Sequence, residues 1–128
     1  MANPPHKKIL IVDDEAFIRL LITQTLEDLE DLGVEILTAD NGVDALALIQ
    51  QEQPNLVFLD VMIPRMSGFD VCRSVKHDLA MHDVYIVILT AKGQEYDRLV
   101  SQEAGADIYM TKPFDPDELL ELAKTVLA

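Results

Sequence analysis

The chain carries a single cysteine, Cys72, and no tryptophan. One cysteine excludes an internal disulfide, and with it the small secreted domains that bridges hold together. Cys72 falls at helical spacing beside Phe69 and Val75, so it reads as a small buried hydrophobe rather than a reactive thiol. Positive charge is scarce as well. Ten Lys and Arg stand against 23 Asp and Glu, a formal net charge of −13. Nucleic acid and anionic lipid are polyanions, so direct contact with either is disfavoured. No apolar run approaches the length of about 18 residues that a spanning helix needs, and the first residues lack an apolar leader core. The expectation is a soluble cytoplasmic protein. The five glycines, at 33, 42, 68, 93 and 105, never cluster into a phosphate-binding loop, which argues against a nucleotide-binding domain. A histidine metal site fails too: His6 is near the chain start, and His77 and His82 do not share a helix face.

What is present fits one domain. With 128 residues and 49% of them hydrophobic, the chain can bury a core of its own. The expected division is a polar tail over 1–7 and one folded domain over 8–128. Short apolar runs recur at 9–12, 34–37, 56–59, 84–89 and 108–110. Several are continuous and rich in Val and Ile, the pattern of strands covered on both faces. Helical spacing lies between them. Ile18, Leu21, Ile22, Leu26 and Leu29 form one stripe, Val43, Leu46 and Ile49 a second, and Tyr96, Leu99, Val100 and Ala104 another. Asp115, Pro116 and Glu118 have the spacing of a capping box at the start of the last helix, and Gly33 and Gly105 stand where helices should stop. Five strand–helix alternations predict a doubly wound α/β domain, a parallel sheet with right-handed crossovers and helices on both faces.

The polar residues then follow the apolar runs. The first run ends in Asp13-Asp14, the third in Asp60, the fourth in Thr90, and the fifth in Thr111-Lys112-Pro113. In an open parallel sheet the ligand site lies at the carboxyl ends of the strands, so these groups should meet at one edge. Three clustered carboxylates repel one another, and a hard divalent cation such as Mg²⁺ removes the conflict. Lys112 can neutralise a phosphoryl oxygen, and Thr90 can donate to one. A metal, a cation, a hydroxyl and a carboxylate nucleophile are the parts of a phosphoryl-transfer site. Taken singly, each has a plainer role: an aspartate after a strand is usually a cap, as Asp14 could be for a helix near Glu15, and a lone lysine is usually solvated. The joint placement is what points to chemistry.

These residues resemble the receiver domain of two-component response regulators, over nearly the whole chain. The matching pieces are the run into Asp13-Asp14-Glu15, Leu-Val-Phe-Leu-Asp60 through Pro64, Met66-Ser67-Gly68, Thr90-Ala91-Lys92, and Gly105-Ala106-Asp107 through Lys112-Pro113-Phe114. The resemblance implies a five-stranded, flavodoxin-like (CheY-like) parallel sheet of order 2-1-3-4-5. It implies that Asp60 is the phosphoacceptor, with Asp13, Asp14, Asp60 and the main-chain carbonyl of Met62 holding Mg²⁺. Lys112 would contact the phosphoryl group, the Lys112–Pro113 bond would be cis, and Thr90 and Tyr109 would form the switch pair. Met62 and Lys92 would set the phosphoaspartate lifetime at the rim. The donor would be a histidine kinase or phosphotransfer protein, with small acyl phosphates as substitutes. The surface of the fourth helix, fifth strand and fifth helix would signal to a downstream protein. Such a domain catalyses only its own phosphorylation and dephosphorylation.

Two departures from the family pattern shape the remaining expectations. Many relatives carry two acids after the Gly-Ala pair, but here Asp107 is followed by Ile108, and Leu122 stands where a last-helix arginine is common. Arg98 and Glu118, another interface pair, remain. This disfavours the standard dimer, leaving a monomer or weak dimer, and places Ile108 and a partly exposed Leu122 in a small apolar patch. The second departure is that the sequence reaches Ala128 just after the expected fifth helix, so no output domain is expected within it. Of the rival readings, a haloacid-dehalogenase-type phosphatase would need an acid at Met62 and a cap domain. A receiver-like module that is never phosphorylated should have lost an acidic or lysine position, and none is lost.

Overall fold

Strand formation follows from the branched apolar runs, and their alternation decides which helices each face receives. The computed structural model describes residues 6–91 and 95–128, with side chains left aside for 95–97. The strands are β1 (Lys8–Val12), β2 (Glu35–Ala39), β3 (Leu56–Asp60), β4 (Tyr85–Ala91) and β5 (Ile108–Lys112). All neighbouring pairs are parallel, in the order β2-β1-β3-β4-β5. This is the CheY-like flavodoxin arrangement.

Four helical segments connect them and a fifth follows β5. They are α1 (Ala16–Thr25), prolonged after Leu26 by a short turn, Glu27–Asp31; α2 (Gly42–Glu52); α3 (Gly68–Arg73), running into a π-helical turn, Ser74–Asp78; α4 (Glu95–Ala104); and α5 (Pro116–Leu127). Successive strand residues point to opposite faces. Leu10, Val12, Val57, Leu59, Ile86 and Ile88 therefore pack with Ala45, Ile49, Val71 and Val75 of the middle helices. Ile9, Ile11, Leu56, Phe58, Val87 and Leu89 pack on the other side with Ile22, Leu26, Leu119 and Ala123.

Two of the expected helical stripes need correction. Val43 is 46% exposed and Leu99 67% exposed, so neither is an inward residue. Small residues take their places. Gly42 opens α2 hard against the loop after β3, where a Cβ would run into the carbonyl oxygen of Met66. That close approach turns Ala45 and Ile49 inward and leaves Val43 outside. In α4, Ser101 and Ala104 are the buried positions among the described side chains, and the Ala104 carbonyl lies 3.5 Å from the Cys72 sulfur of α3. Tyr96, the remaining member of that stripe, lies outside the described side chains. The last helix begins as its cap predicts, with a different bond. Asp115 accepts from the N–H of Asp117 at 2.9 Å rather than from Glu118. Gly33 (φ +99) and Gly105 (φ +90) end their helices in the left-handed region that favours glycine.

At the amino ends of the strands a buried lysine closes the structure. Lys76, in the π-helical turn, donates to the Val84 carbonyl at 2.7 Å and meets the Asp107 carboxylate at 2.8 Å. The same carboxylate oxygen accepts the N–H of Ile86 at 2.8 Å. The charge is thus both paired and hydrogen-bonded, which is what makes its burial tolerable. Cys72 is fully buried nearby, and burial pushes its thiol up to about 12. At pH 8 on the order of 10⁻⁴ of such thiols are ionised, so an aromatic disulfide reagent should label Cys72 only when denaturant is present. Full labelling of the native chain within minutes would contradict this burial.

Candidate functional site

The parallel register brings the strand ends level. Val12 pairs with Leu59, Asp60 with Leu89, and Ala91 with Lys112. Asp13 therefore leaves β1, Asp60 ends β3 and Lys112 ends β5 on one edge of the sheet. Both aspartates are buried. The Lys112 ammonium lies 2.8 Å from Asp13 Oδ2 and 3.3 Å from Asp60 Oδ1, bridging two carboxylates from different strands. The other oxygen of Asp13, Oδ1, accepts the Glu15 N–H at 2.9 Å.

Burial raises the pKa of Asp60 above the usual carboxylate range, and the Asp13 charge raises it further, against the opposing pull of Lys112 and of the Met62 N–H. For Lys112, burial alone would lower the pKa. Its hydrogen bond to Asp13 and the charges of Asp60 and Asp13 outweigh that, and the net shift is upward. The lysine therefore stays an ammonium.

A hard cation fits beside this pair. Asp13, Asp14 and Glu15 each bring a carboxylate oxygen within 4.8 Å of the others, a donor set suited to Mg²⁺ or a similar ion. Glu15 was not among the sequence candidates, although its place directly after Asp13-Asp14 was a signal for it. Asp60 is not in that close trio. It lines the same cleft of about 700 Å³ together with Asp14, Glu15, Val61, Met62, Ala91 and Lys112. The Met62 side chain is 80% exposed at the rim. The loop that carries it folds back through Gly68, whose N–H donates to the Val61 carbonyl at 3.0 Å. A Cβ at Gly68 would strike the carbonyl oxygen of Asp60, so glycine is required for this approach.

Of the remaining sequence candidates, Thr90 and Pro113 lie at this edge, while Tyr109 stands further back in β5, paired with Ile88. Thr90 is buried, and its Oγ1 has no hydrogen-bond partner among the described residues. Tyr109, in β5, is half-buried with the Arg98 guanidinium 5.8 Å from its ring centroid. The Lys112–Pro113 peptide is cis. Lys92 lies outside the described residues. The response regulator receiver domain model matches residues 9–124 of this sequence.

The chain belongs to that family.

Relatives and solved structures agree. The receiver domain is 44% identical over 121 residues to "Probable transcriptional regulator ycf27" of Porphyra purpurea, an overlap of 94% of this chain and 47% of that protein. It is 46% identical over 121 residues to the phosphate regulon transcriptional regulatory protein PhoB of Pseudomonas aeruginosa, covering 94% and 52% respectively. The chemotaxis response regulator CheY4 of Vibrio cholerae matches with a TM-score of 0.81 at 31% identity, covering 95% of this chain and 99% of that one. This chain spans about half the length of the curated relatives it matches.

Proposed function

We propose that this receiver domain is the phosphoacceptor switch of a two-component phosphorelay, taking a phosphoryl group onto Asp60. The observation that carries the reading is the Lys112 ammonium set between Asp13 and Asp60 at the strand ends. Asp13, Asp14 and Asp60, with the main-chain carbonyl of Met62, would hold Mg²⁺, and Glu15 adds a carboxylate at the same edge. Bound there, the ion would supply positive charge to phosphoryl oxygens and would let the carboxylates remain ionised together. A carboxylate oxygen of Asp60 attacks the phosphorus of a phosphohistidine donor. The P–N bond breaks, and its electron pair leaves with the imidazole. Lys112 stays with a phosphoryl oxygen, and the Thr90 hydroxyl moves to another. Tyr109 then turns inward behind it, and the surface formed by α4, β5 and α5 changes.

In this reading the donor is a histidine kinase or phosphotransfer protein, the folded domain covers 8–128 behind a tail of 1–7, and the protein is cytoplasmic. It acts as a monomer or weak dimer on a downstream protein, and its only catalysis is its own phosphorylation and dephosphorylation. With Met62 at the position of the second acid, a haloacid-dehalogenase-type mechanism lacks its acid and base. Acetyl phosphate with Mg²⁺ should add one phosphoryl group, read as intact mass, and chelating the metal should prevent it. A chain left unmodified by acetyl phosphate and by phosphohistidine donors alike would refute the proposal.

The proposed output face carries Ile108, 41% exposed, and a half-buried Leu122. Where relatives place an acid and an arginine, this domain offers apolar surface. The double variant I108D/L122R should lose most of its retention of a partner captured with the beryllofluoride-loaded domain, while Asp60 labels as before. Undiminished retention would remove these two residues from the contact.

A further inference from the structure

We infer that Arg19 is a positioning residue for the metal-binding turn, holding the peptide between Asp13 and Asp14 so that both carboxylates face one cation. The inference rests on the phosphoacceptor reading above. Arg19 stands in the first turns of α1, and its Nη1 donates to the Asp13 carbonyl at 2.7 Å. On the other side of the same residue, the Asp13 N–H donates to the Ala39 carbonyl of β2 at 3.2 Å. The Asp13 side chain is tied twice more, to the Glu15 N–H and to Lys112. Asp14 is the contrast. It is exposed, and its carboxylate has no hydrogen-bond partner among the described residues. What the backbone fixes for Asp14 is where its Cα and Cβ stand, and the oxygen of the peptide plane that precedes them is the one Arg19 holds. Arg19 is itself anchored, its N–H donating to Glu15 and its carbonyl accepting the Thr23 hydroxyl at 2.7 Å.

Charge gives the opposite expectation, which makes the idea testable. A guanidinium beside a dication site repels the ion, so removing it should tighten metal binding if Coulomb energy were all that mattered. It also sits near the amino end of a helix, where a cation is unfavourable. Loss of positioning predicts weaker binding instead. Groups that orient ligands from behind typically change metal affinity by about tenfold or more.

Isothermal titration of Mg²⁺ into the whole chain separates the two. R19M, which keeps length without donor or charge, should bind Mg²⁺ about tenfold more weakly than wild type. R19K should fall between them. The rate of labelling by acetyl phosphate should need more Mg²⁺ in R19M and reach the wild-type plateau at saturation, because Arg19 touches no reacting atom. Equal or tighter Mg²⁺ binding by a folded R19M would overturn the inference. Should R19M fail to unfold cooperatively, R19K decides alone: affinity reduced roughly threefold or more supports the role, and unchanged affinity overturns it. A wild-type chain that binds no Mg²⁺ overturns the phosphoacceptor reading itself, and no variant is needed to see it.

Discussion

The Asp60→Asn variant should leave acetyl phosphate and Mg²⁺ with its mass unchanged, while the wild-type chain gains one phosphoryl group. The amide has nearly the same shape as the carboxylate and lacks its nucleophilic oxygen. Folding should survive the change. Asp60 is buried at the end of β3, and burial together with Asp13 disfavours its charge. A neutral group there relieves that penalty, and Lys112 keeps its 2.8 Å bond to Asp13. The melting temperature of the variant should therefore be no lower than that of wild type. Labelling of the variant to the wild-type level would move the phosphoacceptor elsewhere.

Mg²⁺ should raise the melting temperature of the wild-type chain, and Asp14→Ala should remove most of that rise. An ion present at roughly a hundred times its Kd stabilises the state that binds it by about 2.7 kcal/mol. For a domain of this size the shift is on the order of 10 °C. Asp14 is exposed, so its loss costs the metal-free fold little. Relief of repulsion from Asp13 and Glu15 should leave the metal-free variant as stable as wild type or more so. Thermal melts with and without Mg²⁺ give the answer, and a full response in the variant would show that Asp14 is not a ligand.

The strands were legible because burial on both faces forces continuous Val and Ile, as in Leu56 through Leu59. The edge strand was less so: β2 runs from Glu35 to Ala39, shifted from the apolar run at 34–37, because one side of an edge strand is unpaired and tolerates Thr38 outside. The order of strands came from resemblance, since nothing local in a sequence records which strand lies beside which. Val43 and Leu99 misled because helical spacing finds large apolar residues, whereas Gly42, Ala45, Ser101 and Ala104 are what let α2 and α4 approach. Asp13, Asp60, Thr90 and Lys112 were readable as groups at strand ends. Lys76 was not, because its carboxylate partner, Asp107, is far along the chain and the pairing exists only in the fold.

The order in which the sheet is built has a consequence for synthesis. β3 lies beside β1, β4 beside β3 and β5 beside β4, so each strand after the second joins a neighbour already made. The core can accumulate as the chain emerges from the ribosome. The site cannot, because its closing contact, Lys112 to Asp13, joins residues 99 positions apart, and Lys112 ends the last strand. In the sheet, β1 and β3 already set Asp13 and Asp60 at adjacent strand ends, and the ammonium that lies between them comes from β5. The contact that joins the two ends of the site forms only once β5 is in place.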